Sequence, residues 1–285
     1  MAWDSAGHMV IVAGAFRELP RKTQKKVTEI LKSHPDYAKW AADDEETRDK
    51  IDLPVYVFMR ASTWPDEIEH SKGRGSREYN HREWHFIDYP LKPYSFPKLP
   101  APSPGNDILF GIAQSEKVLS DHNAPAEERA VYLSWLIHLV GDIHQPLHCA
   151  SLVNETYPEG DKGGNEFYVK PASKGIKLHA FWDDLLGRSG KPHTHLDYAI
   201  ELQSEHPRAS LKFLRKHDTP KAWSLESREL AITKAFIHGE LSGSTSPESA
   251  PPLPKSYTKH AKVTAERQAV LAGYRLADEI LKYVK

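Results

Sequence analysis

Two intervals constrain this chain more than any other feature: His138 to Asp142, and His179 to Asp183. Residues four apart on a helix project from the same face, so each pair brings an imidazole and a carboxylate together. One such pair also serves as an ordinary hydrogen bond. Two of them, each set among Trp, Phe, Leu, Ile or Val, would put several ionisable groups into a low-dielectric interior unless a cation compensates them. The recurrence therefore points to metal. His148 follows Pro146, where a bend turns its imidazole toward the second pair, whereas His144 points elsewhere and is read as a plain core or surface histidine.

The donor set narrows the metal. Sixteen histidines stand against three methionines and one cysteine, Cys149, which rules out an internal disulfide. Imidazole and carboxylate without thiolate suit zinc, and a cluster with open positions is catalytic rather than structural. Upstream, Asp66 is expected just after a helix, His85 in an aromatic strand that continues to Asp88, and Trp3 and His8 near the start.

The rest of the chain reads as mostly helical. Helices are expected over 7–19, which is nearly all apolar and should be deeply buried, and over 23–33, 45–60 with a kink or restart at Pro54, 106–121 and 125–144. Further helices are expected over 178–186, 197–216 and 220–240, and a closing one over 256–284 with Val263, Val270, Leu271, Tyr274, Leu281 and Val284 on one stripe. Residues 78–105, rich in aromatics and then prolines, read as extended or irregular, and 166–169 as a short strand. There is no internal repeat, and 242–254 alone looks like a linker. The expectation is one all-α domain over 1–285, a helical bundle with irregular loops and a small β-hairpin.

Charge excludes little but excludes it clearly. With 38 Lys+Arg against 39 Asp+Glu, the chain lacks the basic excess of a duplex-DNA binder. The longest apolar run, about 9–16, is far below the roughly 18 residues that span a bilayer. The opening Met1-Ala2-Trp3 has neither a charged nor an apolar leader region, which suits a cytoplasmic protein or the mature form of an exported one.

Taken in order, these motifs resemble the zinc-dependent single-strand-specific nucleases, the S1/P1 nuclease family, which is all-helical and related to zinc phospholipase C. The resemblance runs from Trp3 to the last helix. It implies three zincs per chain: one held by Asp66, His85, His138 and Asp142, a second by Asp142, His8 and the amine and carbonyl of Trp3, and a third by His148, His179 and Asp183. In the family this Trp is the first residue, whereas Met1-Ala2 here turns its nitrogen into a peptide amide, a poor ligand. The implied chemistry is hydrolysis assisted by a zinc pair, with a third cation at the leaving 3′ oxygen, giving 5′-phosphate products.

By the same resemblance, Asp66 orients the nucleophile and Asn165, in a Gly163-Gly164-Asn165 loop, supports the phosphate. Phe86 stacks on a base and Asp88 meets its edge. Stacking tolerates any base but needs it unstacked, which implies single-stranded DNA or RNA, and 3′-nucleotides, as substrates. Three divalent cations against three ligand carboxylates let a neutral chain attract phosphate. The resemblance also implies an exported, secreted or periplasmic protein and a monomer. One position departs: the family's Lys or Arg three residues after the first Asp is Glu69 here, so the cationic clamp that the resemblance implies is either missing or supplied from elsewhere, by Lys72, Arg74 or Arg82. A zinc phospholipase C and a zinc-binding protein without turnover are the competing readings.

Overall fold

Apolar side chains on nearly every face let one helix, Ser5–Glu18, sit at the centre of the molecule. The structure is a computed structural model that describes residues 3–91, 105–187, 190–212, 214 and 218–284, with the side chains of Arg74 and Ser76 excepted. Met1, Ala2 and most of the proline-rich run, 92–104, lie outside the described residues. In chain order the helices are α1 (Ser5–Glu18), α2 (Arg21–Leu31), α3 (Tyr37–Ala41), α4 (Leu53–Glu69), α5 (Arg74–Tyr79) and α6 (Ile108–Ser120). They continue with α7 (Ala126–Asp142), α8 (Leu178–Asp183), α9 (Pro192–Glu205), α10 (Pro220–Leu230) and α11 (Tyr257–Tyr283). The fold is all-α, as the helical periodicity indicates.

Among the described residues the paired strands are four two-residue pieces. β1 (Pro90–Leu91) runs parallel to β2 (Ser151–Leu152), and β3 (Tyr168–Val169) forms an antiparallel hairpin with β4 (Ile176–Lys177). No described helix is long and apolar enough to cross a membrane.

α1 starts where the Asp4 carboxylate accepts from the Gly7 backbone N–H at 2.8 Å, the usual N-cap device. It then packs against α4, α9 and α11. α11 comes closest at Gly273, where a Cβ would lie 3.0 Å from the Ile11 carbonyl oxygen, so the smallest residue is needed at the crossing. The small buried residues Ala261, Ala265, Ala269 and Ala272 continue that close face.

This packing corrects the expected stripe. Val270, Leu271, Tyr274 and Val284 are buried, but Val263 and Leu281 are 53% and 42% exposed, because α11 turns its alanines inward and these two outward. The helix expected over 45–60 is also misplaced. Asp49 and Lys50 take φ of +55° and +62°, which ends any helix there, and Pro54 sits in the first turn of α4, where its missing N–H costs nothing.

α4 then runs through Pro65 to Glu69, so Asp66 lies within the helix rather than after it. His85 is not in a strand either: it closes a short 3-10 helix, Arg82–His85, and extended chain begins at Phe86. The expected linker, 242–254, is packed: Tyr168 bridges to Ser244, Lys170 bridges to Pro252, and Ala250 is buried.

Candidate metal centre

Six segments deliver the donors. His8 comes from α1, Asp66 from α4, His85 from the 3-10 helix, and His138 and Asp142 from α7. His148 comes from a second 3-10 helix, Pro146–Cys149, and His179 and Asp183 from α8. Three groups of their ligand atoms lie close enough to hold metal: His8 with Asp66 and His138, His85 with His138 and Asp142, and His148 with His179 and Asp183, each within 4.8 Å.

Asp142 joins the first two groups. Its Oδ1 lies 3.2 Å from His8 Nε2, while its Oδ2 lies 3.1 Å from His85 Nδ1 and 3.0 Å from His138 Nε2. Asp66 Oδ1 stands 3.7 Å from both His85 and His138. Donors at zinc bond lengths of about 2.0–2.1 Å in a tetrahedron are about 3.3 Å apart, so this spacing fits a shared cation.

Backbone carbonyls fix the rings. His138 Nδ1 donates to the Ser62 carbonyl at 2.7 Å, His148 Nδ1 to that of His85 at 2.6 Å, and His179 Nδ1 to that of Gly163 at 2.7 Å. Each of these bonds sets a tautomer that leaves Nε2 for a cation. α4 is suited to the first: the Pro65 ring denies the Ala61 carbonyl its usual donor, and the next carbonyl, of Ser62, takes His138. His8 stacks on His138 at 4.1 Å only because Gly141 lies beneath it, where a Cβ would be 2.9 Å from His8 Nδ1.

The protein groups alone leave charge and hydrogen bonding incomplete. Both nitrogens of His8, Asp66 Oδ1, His85 Nε2 and Asp142 Oδ1 are buried without a hydrogen-bond partner. Burial lowers His8, and it pushes His148 down to about 4, so both are neutral donors at pH 7. Burial also opposes ionisation of His138, but Asp142 and Asp66 prevail and lift it to about 9. Burial pushes Asp183 well above the usual carboxylate range. These orphaned nitrogens and oxygens, with no thiolate among them, fit zinc.

The expected partners of substrate line one cleft of about 600 Å³ beside these clusters: Phe86, Asp88, Asn165, His85, His148 and His179 all border it. Beyond His85 the chain is extended, so Phe86 and Asp88 share one face while Ile87 is buried on the other. Burial pushes Asp88 up to about 6. Asn165 Nδ2 donates to the Lys162 carbonyl at 3.0 Å. Trp3 is fully buried, and its indole Nε1 donates to the Gly141 carbonyl, next to Asp142, at 3.0 Å, while the following Asp4 N–H reaches the Asp183 carbonyl at 3.3 Å. Glu69 also borders the cleft and pairs with Arg82 at 3.3 Å, whereas exposed Lys72 does not line it. The side chain of Arg74 lies outside the described residues.

Three residues that sequence reasoning missed support the site. Gln145 Nε2 donates to Asp183 Oδ1 at 2.8 Å. Buried Asp161 accepts from the Leu152 N–H at 2.8 Å through Oδ1 and anchors the turn that carries Gly163 and Asn165. Gly141 provides the space for His8. His144 is a core histidine: its Nδ1 donates to the Val140 carbonyl, and Arg275 contacts its Nε2 at 2.7 Å.

The profile of the family described as S1/P1 Nuclease matches residues 3–285. Over 104 residues the chain is 34% identical to Endonuclease 4 of Arabidopsis thaliana, an alignment covering 36% of this chain and 32% of that protein. It is 31% identical to Endonuclease 3 of the same plant over 104 residues, covering 36% and 33%. The matches thus span about a third of the length of these curated relatives.

Proposed function

Because the chain belongs to the S1/P1 nuclease family, we propose that it is a trinuclear-zinc phosphodiesterase that cuts single-stranded DNA and RNA to 5′-phosphate products and also acts on 3′-nucleotides. The observation that carries this reading is the two-sided placement of Asp142, with Oδ1 toward His8 and Oδ2 toward His138 and His85. That is how a carboxylate bridges a metal pair.

His8, Asp142 and the carbonyl oxygen of Trp3 would hold one zinc, Asp66, His85, His138 and Asp142 a second, and His148, His179 and Asp183 a third. When bound, zinc supplies Lewis-acid polarisation of phosphoryl oxygens and an acidified water at neutral pH. Asp66 Oδ1, buried and without a hydrogen-bond partner, orients the attacking water. Asn165 offers its remaining amide N–H to a phosphate oxygen. Phe86 stacks on an unpaired base, and Asp88 meets that base's edge, which a duplex would keep stacked and paired. Phe86 and Asp88 favour a nucleobase over a choline headgroup. Residues 1–285 act as one unit, as a monomer, in a secreted or periplasmic setting.

Hydrolysis of single-stranded DNA, RNA, a 3′-nucleotide and phosphatidylcholine, each with zinc and with excess chelator, tests the proposal. Chelator-sensitive cleavage of the nucleic acids is expected. Cleavage of phosphatidylcholine instead identifies a phospholipase C, and zinc binding without any hydrolysis identifies a storage protein.

A further inference from the structure

Resting on the nuclease reading above, we propose that Arg82 grips the phosphate next to the one being cleaved, and that Glu69 competes with that phosphate for Arg82. The inference comes from the way two elements lie side by side. Asp66 and Glu69 are three residues apart on α4 and share a face. Arg82 and His85 are three apart on the 3-10 helix, where such side chains eclipse one another.

The two elements pair in register. Asp66 Oδ1 faces His85 Nδ1 at 3.7 Å, and Glu69 Oε1 faces Arg82 Nε at 3.3 Å. The second contact therefore repeats the first, one step of about 6 Å farther along the 3-10 helix. It stands next to the metal-ligand cluster, in the wall of the cleft that also contains Phe86 and Asp88.

The state of Arg82 suits capture of an anion. Its side chain is 76% exposed, whereas that of Glu69 is 20% exposed. An exposed ion pair is weak and exchangeable. Contact through Nε leaves the two terminal nitrogens of the guanidinium to form the paired hydrogen bonds that a phosphate accepts. In the same cleft Lys162 already pairs with Glu166, four residues farther along the chain. Arg82 would thus read a second phosphate, present in a polynucleotide and missing from a 3′-nucleotide.

The test uses the zinc-loaded protein and a single-stranded oligonucleotide, comparing wild type with R82A, R82K and E69Q across a salt series. R82A is expected to raise KM about tenfold, the loss of one charge-assisted contact, with kcat changing much less. It should also flatten the dependence of log(kcat/KM) on log salt by about 0.7, the contribution of one phosphate contact in a single strand. R82K should recover most of that slope, and E69Q should lower KM. A slope and KM unchanged in R82A, or a KM raised in E69Q, overturns the assignment. Wild type that cleaves no nucleic acid overturns the nuclease reading and this inference together, whereas cleavage with an unaltered R82A slope overturns this inference alone.

Discussion

Gln145 donates from Nε2 to Asp183 Oδ1 at 2.8 Å, leaving Oδ2 as the oxygen that faces His179 at 3.6 Å. The same amide accepts from the Leu147 N–H through Oε1 at 2.6 Å, so its orientation is held at both ends. Such outer partners typically change metal affinity by about 10–100-fold when removed. Gln145→Ala should weaken zinc at the His148, His179 and Asp183 cluster by that factor in chelator competition. Unaltered affinity would show that Gln145 serves packing alone.

Asp142 faces two clusters at once, so its neutral isostere should affect both. Asp142→Asn is expected to lower zinc from three per chain to one by elemental analysis. Hydrolysis should fall about a thousandfold or more, the loss of several kcal/mol of charge stabilisation. A variant that retains three zincs would remove the bridging role.

Gly163 takes φ of +61°, and a Cβ there would lie 2.4 Å from the Leu147 carbonyl oxygen. Gly163→Ala should destabilise the fold by roughly 1–3 kcal/mol. Its own carbonyl orients His179, so zinc affinity should fall as well. Thermal unfolding with and without chelator separates the two effects, and an unchanged Tm in both would contradict the strain argument.

His34 gives the acid limb of stability. It is buried against Trp40 and Trp64, with ring centroids at 4.5 and 4.6 Å, and burial pushes its pKa down to about 3. A histidine lowered on folding contributes stability that is fully present above about 6.5 and is lost as pH falls toward 3. Between pH 7.5 and 4.5, wild type should lose as much as ~2–3 kcal/mol more than His34→Gln in urea unfolding with chelator present. Parallel pH profiles would remove His34 from the account.

The sequence made part of this site legible for a simple reason. His138 with Asp142 and His179 with Asp183 each occupy a single helix, so local periodicity brings them together. The carbonyls of Ser62, His85 and Gly163 that orient the rings could not be read, because their roles depend on contacts between distant segments. The same holds for the pairing of Glu69 with Arg82, which needs α4 and the 3-10 helix in register.

Helix existence was similarly easier to read than helix limits or faces. α1 is apolar on nearly all sides and could hardly be anything but central. Where α4 begins depends on the positive φ at Asp49 and Lys50, which no hydrophobic pattern records. In α11 the large residues Val263 and Leu281 suggested the inward face, yet the alanines take it, because close approach to α1 at Gly273 favours small side chains.

The most direct test of the central claim is an anomalous difference map at the zinc edge from crystals grown with zinc. The account predicts three peaks per chain: one between His8 and Asp142, one among Asp66, His85 and His138, and one among His148, His179 and Asp183. A map with no peak at these side chains, or with zinc bound elsewhere on the surface, would contradict it.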